Sequence, residues 1–287
     1  MKHSQIKRFF AALVVLAQMF ALIPAYATEA DFTFPLTYDT ANIPSADYAL
    51  GTAIDKAVVN SYGIHFNENP SGAIWSVQRI NSVDSVNELS LRFSTQSFSG
   101  NPKNLNLMSL NFAEDTVNNP PEFNGQGYVF ESEFSVLNRD DGYINLILNG
   151  ENSNGDTRNI AEIRFVPTSD NDTTSRPGVA YAVDALGNKV GDSKDIVLTS
   201  SAKNTQPGQL YYVKVMVDLL NNKYSAWLVV RKTNSTDYVE TEPTEEHLLV
   251  ENADLNYSNI KKFTGLSFNI TKSEYGNGVW LKNISVK

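Results

Sequence analysis

Gly127-Tyr128-Val129-Phe130-Glu131-Ser132-Glu133-Phe134-Ser135-Val136 is the stretch that decides the fold. Tyr128, Phe130, Phe134 and Val136 alternate with Val129, Glu131, Glu133 and Ser135. That is the period of a half-buried β-strand, not of a helix. The period returns downstream, where Tyr211, Val213, Val215 and Val217 alternate with Tyr212, Lys214, Met216 and Asp218. It returns again where Tyr224, Ala226, Leu228 and Val230 alternate with Ser225, Trp227, Val229 and Arg231. Leu105–Phe112, Tyr143–Leu148, Ile160–Val166, Val179–Val183, Gly265–Ile270 and Val279–Val286 read as further strands. No stretch after Ala27 holds apolar residues at helical spacing over three turns.

Turn chemistry separates these runs. Asn138-Arg139-Asp140-Asp141-Gly142, the segment from Asn149 to Asp156, Leu186-Gly187-Asn188-Lys189 and Leu219-Leu220-Asn221-Asn222-Lys223 each combine Gly, Asn or Asp, residues that tolerate the backbone a turn requires. Alternating strands joined in this way predict an all-β fold, an antiparallel sandwich of two sheets. No Pro/Gly/Ser-rich linker divides the chain and no period marks a repeat. The expected organisation is an N-terminal leader over 1–27, an irregular lead over 28–47 and one β-sandwich over 48–287.

Among 287 residues, 41% are hydrophobic and 19% charged, too apolar for a disordered chain. There is no Cys, which excludes a disulfide framework, a cysteine-ligated zinc and a cysteine nucleophile. A net charge of −9 argues against sequence-independent binding to nucleic acid. Lys2, Lys7 and Arg8 precede an apolar run from Phe9 to Ile23 that only Gln18 interrupts; Pro24 and the small-residue pattern Ala25-Tyr26-Ala27 follow. This is the tripartite pattern of a cleavable signal peptide, shorter than a membrane span requires. Cleavage after Ala27 leaves 20 basic against 32 acidic residues, a net −12. The expectation is a secreted, extracellular protein with no membrane contact after cleavage; the oligomeric state stays open.

The order of motifs adds a resemblance. Trp75-Ser76-Val77 and Leu89-Ser90-Leu91 precede the Gly127 strand. Asp218-Leu219-Leu220-Asn221-Asn222-Lys223-Tyr224-Ser225 follows it, and Val279-Trp280-Leu281-Lys282-Asn283-Ile284-Ser285-Val286 comes last. Over about Tyr48 to Lys287 this resembles the concanavalin A-like (laminin-G-like) jelly rolls of secreted bacterial carbohydrate-active systems. Lys282 stands where that pattern usually has an acid. The resemblance implies a sugar site on the concave outer face of one sheet, and structural Ca²⁺ is common on such folds.

Strand parity then nominates the residues of that face. With Phe130 and Phe134 turned between the sheets, Glu131 and Glu133 turn outward. By the same alternation Asn145, Glu162, Arg164, Lys214 and Trp227 turn away from their apolar neighbours. On one face they would offer amides, charges and an aromatic plane to sugar hydroxyls and ring C–H groups. Asn145, Glu162, Arg164, Lys214 and Trp227 are therefore the expected carbohydrate-binding residues. Trp75 and Trp280 read as core, the latter because it shares parity with Ile284 and Val286.

Glu131 and Glu133, two apart on a strand, sit about 7 Å apart. Glycoside hydrolysis uses carboxylate pairs about 5–9 Å apart, so these two are the candidate catalytic residues. Laminarinase-type enzymes of this fold carry Glu-x-Asp-x-x-Glu; here Val136 occupies the third acidic position. Alginate-lyase-type enzymes need a Gln-x-His strand, and Gln78-Arg79-Ile80 lacks the His. His65 and His247 fit neither a metal motif nor a triad, and no metal-ligand cluster is expected. Asn152-Ser153-Asn154-Gly155-Asp156 and Asp170-Asn171-Asp172 gather oxygens but read as ordinary turns. Three functions stay open: a lectin-like binder of extracellular polysaccharide, a polysaccharide lyase or glycoside hydrolase, and a structural or adhesive surface protein without a small ligand.

Overall fold

A computed structural model describes residues 32–35, 73–79, 89–95, 105–111, 127–137, 143–166, 178–198, 210–232, 242–270 and 278–286. The leader, most of the lead and Asp170–Asp172 lie outside them. The described strands are β1 (Phe32–Pro35), β2 (Ala73–Arg79), β3 (Leu89–Thr95), β4 (Leu105–Asn111), β5 (Gly127–Leu137), β6 (Ile144–Asn152) and β7 (Thr157–Val166). They continue with β8 (Gly178–Val183), β9 (Ile196–Leu198), β10 (Leu210–Asp218), β11 (Lys223–Lys232), β12 (Leu248–Asp254), β13 (Ile260–Ile270) and β14 (Gly278–Val286). A single 3₁₀ turn, Glu245–His247, is the one helical element among the described residues.

The strands form two antiparallel sheets. Sheet A runs β12-β11-β10-β5-β14-β3-β2, and sheet B runs β4-β13-β6-β7-β8-β9. Within sheet A, β5 lines one edge of β14, while the other edge is shared: β3 pairs with Gly278–Leu281 and β1 with Asn283–Val286. The expected two-sheet antiparallel sandwich is the observed fold.

Alternation builds the core, because successive side chains on a strand point to opposite faces. Phe130 and Phe134 of β5 and Val213, Val215 and Val217 of β10 are buried against Ile144, Leu146, Phe165, Leu266 and Phe268 of sheet B. Phe134 lies edge-on to Phe165 and Phe268, each ring centroid 5.3 Å away, and tilted against Tyr211 at 6.2 Å. These rings join the two sheets and bury the apolar area that dominates folding.

β12, from Leu248 to Asp254, was not among the expected strands and borders β11 in sheet A. The side chain of Trp280, read as core with Ile284 and Val286, lies outside the described residues, but the parity used to join it to them does not run unbroken through β14. A register shift between Leu281 and Asn283 leaves Val279 and Leu281 buried on one side of it and Ile284 and Val286 on the other. A bulge inserts one residue and resets the period, so parity cannot be carried across it. The turns tighten as well: Asp184 Oδ1 accepts from the amides of Leu186 and Asn188, and Gly187 sits at φ 82°, where a side chain would be strained. Asn222, Asn252 and Asn259 also adopt positive φ, a use of Asn that fits its abundance.

Candidate functional site

The seven residues nominated from parity do turn out of the core, but they divide between two outer faces. Glu131, Glu133, Lys214 and Trp227 belong to β5, β10 and β11 of sheet A. Asn145, Glu162 and Arg164 belong to β6 and β7 of sheet B. The hydrophobic core separates the two groups, so the single face expected from the sequence is not formed. Alternation tells which side of its own strand a residue takes, and says nothing of which sheet that strand joins.

On sheet A, Trp227, Lys214, Glu131 and Ser285 fall opposite one another across four strands. One register step along, Tyr212 lies opposite Glu133. The Tyr212 hydroxyl donates to Glu131 Oε1 at 2.6 Å, and Arg231 Nη1 donates to Glu133 Oε1 at 2.6 Å. The Arg231 guanidinium lies 3.9 Å over the Tyr212 ring. Glu133 is only 3% exposed, and Val129 and Val229 beside this cluster are buried too. Burial, reinforced by Glu131, pushes the Tyr212 hydroxyl far above its ordinary value, so it stays a proton donor. A buried carboxylate held by arginine and a tyrosine that keeps its proton do not make an accessible acid/base pair.

On sheet B the outward positions form a polar floor. Asn269 of β13 lies opposite Asn145 of β6, Asn145 opposite Arg164 of β7, and Arg164 opposite Tyr181 of β8. Three strand spacings make this row about 14 Å long. Ser267, Asn149, Asn159 and Glu162 flank it, joined by Asn149 Nδ2 to Ser267 Oγ at 3.3 Å and Asn159 Nδ2 to Glu162 Oε2 at 2.7 Å. Asn256 donates to Asn159 Oδ1 from the neighbouring loop at 3.3 Å.

Arg164 organises the floor. Its Nε donates to Asn145 Oδ1 at 3.1 Å, its Nη1 to the Gly187 carbonyl at 2.8 Å and its Nη2 to Glu162 Oε1 at 3.4 Å. The guanidinium also lies 3.9 Å over the Tyr143 ring. It ties the 184–188 turn to the sheet and fixes the amide beside it. Burial raises Glu162 above the ordinary carboxylate range, while the hydrogen bond from Asn159 and the charge of Arg164 oppose that shift.

Tyr181, Asn269 and Asn149 were missed as site residues although their strand or turn was recognised, and Asn159 was missed with the start of β7, which begins at Thr157. The available signal was the polar member of each alternating pair in Val179–Val183 and Gly265–Ile270; which strands neighbour β6 and β7 had no signal in the sequence. Among the described residues no three His, Asp or Glu side chains come together to hold a metal ion. In the 152–156 turn the Asn152 side-chain oxygen accepts from the amides of Asn154 and Asp156, and Asp156 Oδ2 accepts from Asn152 and Arg158.

No protein-family model matches the sequence, and no curated protein matches it. Solved structures resemble the chain in shape. Peanut lectin in complex with a 9mer peptide is 11% identical with a TM-score of 0.43, covering 89% of this chain and 95% of its own. A carbohydrate esterase from the Shiga toxin-encoding bacteriophage phi24B is 9% identical with a TM-score of 0.45, covering 90% and 97%. An alginate lyase from Pseudomonas aeruginosa is 13% identical with a TM-score of 0.34, covering 78% and 85%. At such scores none of these likenesses bears on what the chain binds or does; that reading rests on its own residues. No helix among the described residues is long and apolar enough to cross a membrane.

Proposed function

We propose that this chain is an exported, lectin-like protein that binds an extracellular polysaccharide on the outer face of sheet B. The observation that carries the reading is the row Asn269–Asn145–Arg164–Tyr181, four hydrogen-bonding side chains set across four rigid strands. Sugars present hydroxyls that donate and accept at once, and amides match that pattern. Tyr181 adds a half-buried ring at one end of the row. Strands hold such groups in place, which reduces the ordering cost of binding.

The reading favours binding over catalysis. Glu162 is the one carboxylate of the floor bonded to Arg164, and the nearby Asp184 is engaged by the amides of its own turn. Hydrolysis by two carboxylates finds no second open acid there among the described residues. Export supplies the compartment, as the 1–27 leader pattern suggests. A panel of plant and bacterial polysaccharides tests this by affinity electrophoresis and calorimetry, with parallel assays for reducing ends and unsaturated products. Binding without product release is expected. Product release from any member would move the protein to the enzymes, and no binding to any member would remove the reading.

A further inference from the structure

The floor of sheet B sorts its groups in a way that defines the ligand. Its charges are paired, while some of its amide and hydroxyl groups are not. Arg164 is held on three nitrogens by Asn145, Gly187 and Glu162. Lys189, near the Tyr181 ring at 5.6 Å, is paired with Asp195 at 2.8 Å. Arg158 and Lys262, farther along β7 and β13, meet Asp156 and Glu151 at 2.9 and 3.1 Å. Two other lysines belong to or border sheet B. Lys194 donates its backbone amide to Leu249 at the edge of sheet A. Lys261 is eight residues along β13 from Asn269, about 26 Å at strand rise.

The groups left over are neutral. Asn269 Oδ1 is buried without a hydrogen-bond partner. Asn145 Oδ1 accepts from Arg164, and its amide nitrogen donates to no described residue. The Tyr181 hydroxyl likewise has no partner among the described residues. These are an acceptor, a donor and a group that does both, in one row. Against them stand the carboxylates of Glu162 and Asp184, within a chain of net charge −9. A polyanion approaching this row meets cations already paired along it, Arg164 with Glu162 and Lys189 with Asp195, and an acidic chain around it.

We infer that this face takes a neutral, hydroxyl-rich polysaccharide and discriminates against glycans bearing uronate or sulfate. The inference rests on the glycan reading above and adds the chemical class of the ligand. The test measures the purified chain against xylan, mixed-linkage β-glucan and galactomannan in one arm. The other arm holds alginate, polygalacturonate and dextran sulfate. Both arms are run by calorimetry at low and high sodium chloride. The expected result is binding in the neutral arm at least tenfold tighter than in the acidic arm, with affinity nearly independent of salt because no charge pair forms. Lys189→Met should leave the neutral affinity within twofold. Tighter binding to an acidic polymer that weakens as salt rises would overturn the inference while leaving the glycan reading standing. Tenfold loss of neutral binding in Lys189→Met would also overturn it. Silence in both arms would remove the inference together with the reading beneath it.

Discussion

The two outer faces of the sandwich use the same residue types to opposite ends. Sheet A stacks Arg231 on Tyr212, buries the Arg231–Glu133 pair and sets it beside Val129 and Val229. Sheet B also stacks an arginine on a tyrosine, Arg164 on Tyr143, and pairs it with a glutamate. There the arginine lies in a row of amides, two of which keep unpartnered groups. An arginine, a glutamate and a tyrosine on a strand face thus define no function by themselves. What differs is the company: valines with Trp227, Lys214 and Glu131 on sheet A, a row of amides with a tyrosine on sheet B.

The largest effect that would separate the faces is on stability. Arg231→Met removes the guanidinium paired with the buried Glu133 carboxylate and should cost about 3–5 kcal/mol in urea unfolding. Adding Glu133→Leu should recover most of that loss, since a matched apolar pair needs no buried charge. Polysaccharide affinity of the folded double variant should match the wild type; a tenfold loss would place sheet A within the binding surface. On sheet B the order reverses. Tyr181→Ala and Asn269→Ala should each weaken polysaccharide binding about tenfold, or about 1.4 kcal/mol. Their stability should move by less than about 1 kcal/mol, because neither group holds a hydrogen bond that the fold needs.

A smaller effect concerns pH. Glu162 has its folded pKa raised above the unfolded value, so the folded state holds its proton more firmly. Its contribution to stability is fully present below the unfolded pKa and is lost as pH rises through the folded one. Relative to Glu162→Gln, the wild type should therefore gain stability as pH falls from 7 toward the carboxylate range. A parallel pair of stability-versus-pH curves would show that Arg164 and Asn159 cancel the burial. The smallest effect is the sharpest for the comparison. Trp227→Ala, on sheet A, should leave polysaccharide affinity within twofold, and a clear loss would relocate the site.

Much of the fold was legible because alternation is a local property. The Gly127 strand, the Tyr211 strand and the Lys223 hairpin could be read residue by residue, and Phe130 and Phe134 are buried as expected. The candidate site was legible only in halves. Asn145, Glu162 and Arg164 do meet in one network, since β6 and β7 form a hairpin whose register follows from its turn. Trp227 and Lys214 were joined to them wrongly, because pairing between strands distant in sequence is set by the whole topology. The parity argument for Trp280 fails for a different reason: the register slips inside β14, and no residue there announces it.

The position of β14 carries one more consequence. It follows every other described strand in order, yet it lies inside sheet A, flanked by β5 on one side and by β3 and β1 on the other. Synthesis delivers residues 278–286 after the other described strands, so until then β5 on one side and β3 and β1 on the other lack the strand that joins them. Completion of sheet A must wait for those residues, which places its central pairings among the last contacts the described strands can make.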